Sequence, residues 1–130
     1  MRSLLGFIFF IGFIACAQAD TIRRDAPANK TSYVGGHSVY NPDCTAGAIP
    51  ILKLTKKPKH GKVTFQKHKH KLGERAGRCE GTQVTGNFIL YQPERGFKGE
   101  DTFKVGFVMD HYDEGSEIRH VVNKYVITVK

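Results

Sequence analysis

Thr102-Phe103-Lys104-Val105-Gly106-Phe107-Val108 alternates residue by residue, with Phe103, Val105 and Phe107 on one side and Thr102, Lys104 and Gly106 on the other. A period of two marks a strand that buries one face and wets the other. The same reading extends outward in both directions. Upstream, Phe88-Ile89-Leu90-Tyr91 is an apolar run ended by Gln92-Pro93-Glu94-Arg95-Gly96, where proline removes a ladder donor. Downstream, the chain closes on Ile118 to Val129, with Val121, Tyr125, Ile127 and Val129 set among polar neighbours across most of the stretch. Ile51-Leu52-Lys53-Leu54-Thr55 and Lys62-Val63-Thr64-Phe65 alternate in the same way. Lys56-Lys57-Pro58-Lys59-His60-Gly61 between them carries turn residues, which predicts two adjacent strands. Ser32-Tyr33-Val34 and His37-Ser38-Val39-Tyr40 are shorter candidates divided by Gly35-Gly36, and Asn41-Pro42-Asp43 signals a turn. No segment carries a sustained 3.6-residue apolar stripe. The pattern predicts roughly six to eight short strands in a β-sandwich, with a small barrel as the alternative.

Two passages extend this reading. Pro58-Lys59-His60-Gly61-Lys62-Val63-Thr64-Phe65, and Tyr91-Gln92-Pro93 followed by Gly96-Phe97-Lys98-Gly99-Glu100-Asp101-Thr102-Phe103, resemble signatures of the bacterial immunoglobulin-like and cadherin-like domains found in exported proteins. The likeness covers roughly Ile51 to Lys130 and extends to small exported single-domain proteins of proteobacteria with a similar cysteine pair. It implies an immunoglobulin-like or cadherin-like sandwich whose relatives bind, adhere or act as spacers. Such an analogy does not fix a function. The signature residues read as fold-making. His60-Gly61 suits a tight hairpin because glycine accepts a positive φ, Asp101 can accept bonds from backbone amides in the turn, and Phe97 and Phe103 would plug the end of the core. The chain departs from tandem arrays by holding one domain and by a longer region, Gln66 to Gly86, that contains Cys79.

The first 19 residues read as a signal peptide: Arg2 begins it, an apolar run from Leu4 to Ile14 follows, and Ala17-Gln18-Ala19 offers a cleavage site before Asp20. Phe13-Ile14-Ala15-Cys16 slightly resembles a lipobox, so membrane association enters only through lipidation at Cys16. The expected product is periplasmic or secreted. Residues 20–30, with Arg23, Arg24 and Pro27 and no apolar alternation, read as a flexible lead-in, and 31–130 as one sandwich domain. Cys44 and Cys79 remain after cleavage, and an even pair in an exported protein reads as a disulfide. A redox-active pair usually shows Cys-x-x-Cys spacing, and here the two are far apart.

Charge is unevenly spread. The chain has 20 Lys+Arg and 12 Asp+Glu, a net charge of +8, and loss of Arg2 with the leader leaves +7. Between Lys53 and Arg78 Glu74 is the single acid among ten Lys+Arg. Lys56, Lys57, Lys59, Lys67, Lys69 and Lys71 are therefore candidates for holding an anionic envelope polymer such as lipopolysaccharide or another polyanion. The competing reading is that lysines protect an exposed edge strand from pairing with other sheets. A protein partner fits a module of this kind as well, and no sequence-specific nucleic-acid reader is expected.

Lys67-His68-Lys69-His70-Lys71 puts two histidines at i and i+2, on one side of an extended strand, where they could grip Cu²⁺ or Zn²⁺ with His60 across the hairpin. The bracketing lysines would repel a cation. Asp110-His111-Tyr112-Asp113-Glu114 is acidic, but a tight Ca²⁺ site wants oxygens from several segments, so it reads as a solvated turn. No nucleophile elbow, Cys–His pair, paired carboxylates or phosphate loop is present in the sequence. The expectation is a non-catalytic exported module without a cofactor; the alternative is a periplasmic Cu/Zn-binding protein using His60, His68 and His70.

Overall fold

The computed structural model describes residues 20–111 and 117–130. The leader with Cys16, and residues 112–116 of the acidic loop, lie outside the described residues. Seven strands are described: β1 (Thr21–Ala26), β2 (Ser32–His37), β3 (Ile51–Lys56), β4 (Gly61–Lys71), β5 (Gln83–Pro93), β6 (Gly99–His111) and β7 (Glu117–Val129). A 3-10 turn, Glu74–Cys79, joins β4 to β5. The strands form two sheets, β1-β7-β6-β3 and β2-β5-β4. The chain is an all-β sandwich with a Cys44–Cys79 disulfide.

The alternation seen in the sequence sets which side chains lie between the sheets. Ile89 and Tyr91 from β5 meet Phe103 and Val105 from β6 and Tyr125 and Ile127 from β7, each at most 1% exposed. Phe103 stacks on Tyr125 with ring centres 5.0 Å apart. Leu52, Leu54, Val63 and Phe65 pack on this cluster from the outer strands, as their spacing requires. Pro93 ends β5, where the loss of its donor is tolerated.

Residues 20–30 are not a free lead-in. Thr21–Ala26 pairs in parallel with Lys124–Val129 of β7, and Ala28 N donates to Lys130 O at 3.0 Å. Ala26 is buried and Ile22 half-buried; two short apolar side chains suffice because β7 supplies the ladder.

β3 and β4 are likewise not partners. β3 pairs with β6 and β4 with β5, so the Lys57–His60 connection carries the chain across the end of the sandwich. Asp101, 3% exposed, anchors that crossing. Its carboxylate accepts from Lys59 N at 3.0 Å, His60 N at 3.1 Å, Thr102 N at 3.0 Å and the Tyr91 hydroxyl at 2.7 Å. Burial, followed by the bond to Asp101, pushes the Tyr91 phenol above its ordinary range. The predicted acceptor role of Asp101 therefore holds, with the amides arriving from the β3–β4 crossing as well as from its own neighbour.

Gly61 has a different reason for being glycine than the one expected. Its φ is not positive; a Cβ there would lie 2.5 Å from Tyr91 Cε2 and 2.7 Å from Gln92 O. Gly61→Ala should lower stability by about 2 kcal/mol through overpacking, read by urea denaturation; a change within the error of the wild-type curve would mean that Tyr91 yields freely.

His37, at the end of β2, stacks on Phe107 of the opposite sheet with ring centres 4.1 Å apart, and its Nε2 is buried without a partner. Burial lowers its pKa from the ordinary 6.5. The unfolded chain then binds more protons than the native one as pH falls below 6.5, so stability is lost from that pH down to the lowered native value. Urea midpoints taken from pH 7.5 to 5 should fall, and His37→Gln should flatten part of the decline. An unchanged profile in the variant would remove His37 as the cause.

Candidate functional site

The predicted basic residues fall at two ends of the molecule. Lys56 ends β3, and Lys57 and Lys59 lie on the crossing that follows. Lys67, Lys69 and Lys71 sit at the far end of β4, an edge strand, about 20 Å or more along it from the crossing. The single basic hairpin expected from the sequence does not form, because β3 and β4 belong to different sheets. Alternation also separates Lys67 and Lys69, on the face continuous with Phe65 and Val63, from His68 and His70 on the opposite face.

The histidines are not assembled as a metal site. His60 lies about 26 Å along the strand from His68 and is held by the fold. Its N–H bonds Asp101, its carbonyl accepts from Glu94 N at 2.8 Å, and its ring stacks on Phe97 at 4.4 Å and 9°. His68 and His70 both lie near Phe88, with ring centres 5.2 and 5.5 Å away, and His70 Nε2 is 3.5 Å from Ser38 Oγ. Among the described residues no group of three or more His, Cys, Asp or Glu side chains is set to hold a metal ion. Copper or zinc binding through His60, His68 and His70 together is therefore incompatible with this arrangement.

Cys44 and Cys79 are joined, with Cα atoms 5.1 Å apart. The bond ties the loop before β3 to the β4–β5 turn, over a small second core of Leu72, Cys79 and Val84 packed with Cys44 and Ala76. Arg78 adds a bond from its guanidinium to Pro42 O.

What the structure does assemble is a lysine row. Lys56 lies opposite Lys104, and Lys104 opposite Lys124, across β3, β6 and β7. Phe103 and Val105 point into the core, so Lys104 and its cross-strand partners point out. Lys53, opposite Gly106 in the next row, and Arg23, opposite Val126 on the other side, share that outer face. The sole ion pair among the described residues is Lys130–Asp25 at 3.0 Å, so no described carboxylate is ion-paired with the row. Beside it, a cleft of about 430 Å³ is lined by Lys56, Lys59, His60, Thr102 and Lys124 together with Glu100 and Asp101, whose carboxylate is already engaged by the crossing.

Directly opposed like charges destabilise a sheet by several tenths of a kcal/mol per pair, and the row holds two such contacts. An anion laid across it relieves that repulsion. Lys104 and Lys124 are half-buried, as expected of lysines whose apolar stems lie along the sheet while their ammonium groups reach water. Lys104 and Lys124 were not among the candidates from sequence; the signal was their position between inward-facing neighbours, which says that they point out but not that they meet. No family model, curated protein or solved structure matches the chain. The fold and this face define a disulfide-linked β-sandwich with a basic outer surface.

Proposed function

We propose that the protein is an exported, non-catalytic binding module of the cell envelope, periplasmic or secreted, that holds an anionic partner on the outer face of the four-stranded sheet. The lysine row of Lys56, Lys104 and Lys124 carries this reading, because three opposed cations with no ion-paired carboxylate among the described residues favour a bound anion. The disulfide supports export, since such bonds persist in oxidising compartments. The strand order β1-β7-β6-β3 over β2-β5-β4 supports an immunoglobulin-like or cadherin-like domain.

Retention of the oxidised protein on heparin should fall steeply with added salt. Lys104→Thr should cut retention and at the same time raise stability by about 0.5 kcal/mol, because it removes both opposed pairs. Lys67, Lys69 and Lys71 reversed to Glu should leave most of the retention, since those lysines lie at the far end of β4. Retention that follows the latter three and ignores Lys104 would overturn the assignment to the row.

A further inference from the structure

The same face carries exposed apolar groups that a purely hydrophilic partner would not use. Ile51, at the start of edge strand β3, is 69% exposed, and Val122 of β7 is 38% exposed. Cross-strand register puts Ile51 opposite Val108, and Lys53 and Val122 on either side of Gly106. Gly106 carries no side chain of its own, and neighbouring methyls approach over it. The point where its Cβ would stand lies 3.2 Å from the Thr55 Cγ2 methyl and 3.8 Å from Val122 Cγ2. One row along the strands comes the Lys56, Lys104 and Lys124 line. An exposed β-branched residue on an edge strand is a liability in water, and natural antiparallel sheets turn their polar side outward. Here aliphatic side chains and cations lie side by side on one outward surface: Ile51 opposite Val108, then Lys53 and Val122 about Gly106, then the lysine row.

We propose that this face docks on an anionic lipid surface, with Lys53, Lys56, Lys104 and Lys124 on the phosphate groups and Ile51, Val122 and the Thr55 methyl against the apolar region beneath them. The inference rests on the anion-binding reading above and names its partner as a phosphate-bearing amphiphile. Charge complementarity selects a lipid over a second copy of this chain, because two such faces would repel. The exposed methyls select a lipid over a soluble polyanion, which would gain nothing from burying them. The lysine side chains suit the task, since a long apolar stem lets an ammonium reach phosphate while the stem stays at the interface.

The test compares three surfaces: vesicles of phosphatidylcholine with phosphatidylglycerol, vesicles of phosphatidylcholine alone, and heparin. The oxidised wild-type protein should sediment with the anionic vesicles and not with the neutral ones. Ile51→Ser with Val122→Ser should weaken vesicle binding about tenfold or more, from the lost burial of two aliphatic side chains, while heparin retention stays unchanged. Ile51→Phe should strengthen vesicle binding and leave heparin retention alone; both positions are exposed, and a thermal melt of each variant checks the fold. Lys104→Glu with Lys124→Glu should abolish binding to both anionic surfaces. Vesicle binding that is indifferent to Ile51 and Val122 would overturn the lipid inference and leave a soluble polyanion as partner. Failure of the wild type to bind either heparin or anionic vesicles would overturn the anion-binding reading itself.

Discussion

Asp101→Ala should lower the stability of the folded domain by about 4 kcal/mol, because it strands several donors at once. Three backbone amides and the Tyr91 hydroxyl converge on this carboxylate, and an unsatisfied buried donor costs roughly 1–3 kcal/mol. Tyr91→Phe removes one donor and leaves the other three satisfied, so it should lose only about 1 kcal/mol. Asp101→Asn should fall between them, since its NH2 group faces donors where the second oxygen had accepted. Urea denaturation of the three variants and of the Asp101→Ala, Tyr91→Phe double variant measures the coupling. A loss below about 1 kcal/mol for Asp101→Ala would mean that water replaces the carboxylate and that the crossing is held by other contacts. The same substitution frees Lys59 from its place at the cleft, so heparin retention should drop with it.

Reducing the Cys44–Cys79 bond should cost a similar amount. The bond closes a span of 35 positions, and the chain-entropy account assigns such a closure about 4 kcal/mol. For a domain with a total stability of roughly 5–15 kcal/mol, that is a large share. The damage should be local in structure: the loop before β3 comes away from Leu72, Cys79 and Val84, while the core around Tyr91, Phe103 and Tyr125 is tied by the sheets themselves. Denaturation with and without reductant reads the loss, and a Cys44→Ala, Cys79→Ala variant should show no further response to reductant. A reductant effect of less than about 1 kcal/mol would place the stability almost wholly in the two sheets.

The proposed docking face and the fold are linked through these same contacts. Asp101 holds the crossing that carries Lys59, and the β3–β6 ladder sets Lys56 against Lys104. A binding defect therefore needs a stability measurement beside it, and Lys104→Thr, which is expected to bind less and melt higher, separates the two.

The local chemistry of the chain determined its strands. Alternation of Phe103, Val105 and Phe107, of Leu52 and Leu54, and of Val63 and Phe65 correctly marks which side chains turn inward, because a period of two is written into consecutive residues. The cysteine pair likewise foretold its bond. Pairing was not legible in the same way. Pro58 and Gly61 announce a reversal but not whether the next strand stays in its sheet, and here it leaves, under the hold of an aspartate more than 40 positions away. Thr21–Ala26 is too polar to read as a strand alone and becomes one because the last strand offers a parallel edge. The lysine row joins positions from β3, β6 and β7. Strand formation depends on near neighbours, whereas register and sheet membership depend on contacts between segments far apart, so only the tertiary structure could bring Lys56, Lys104 and Lys124 together.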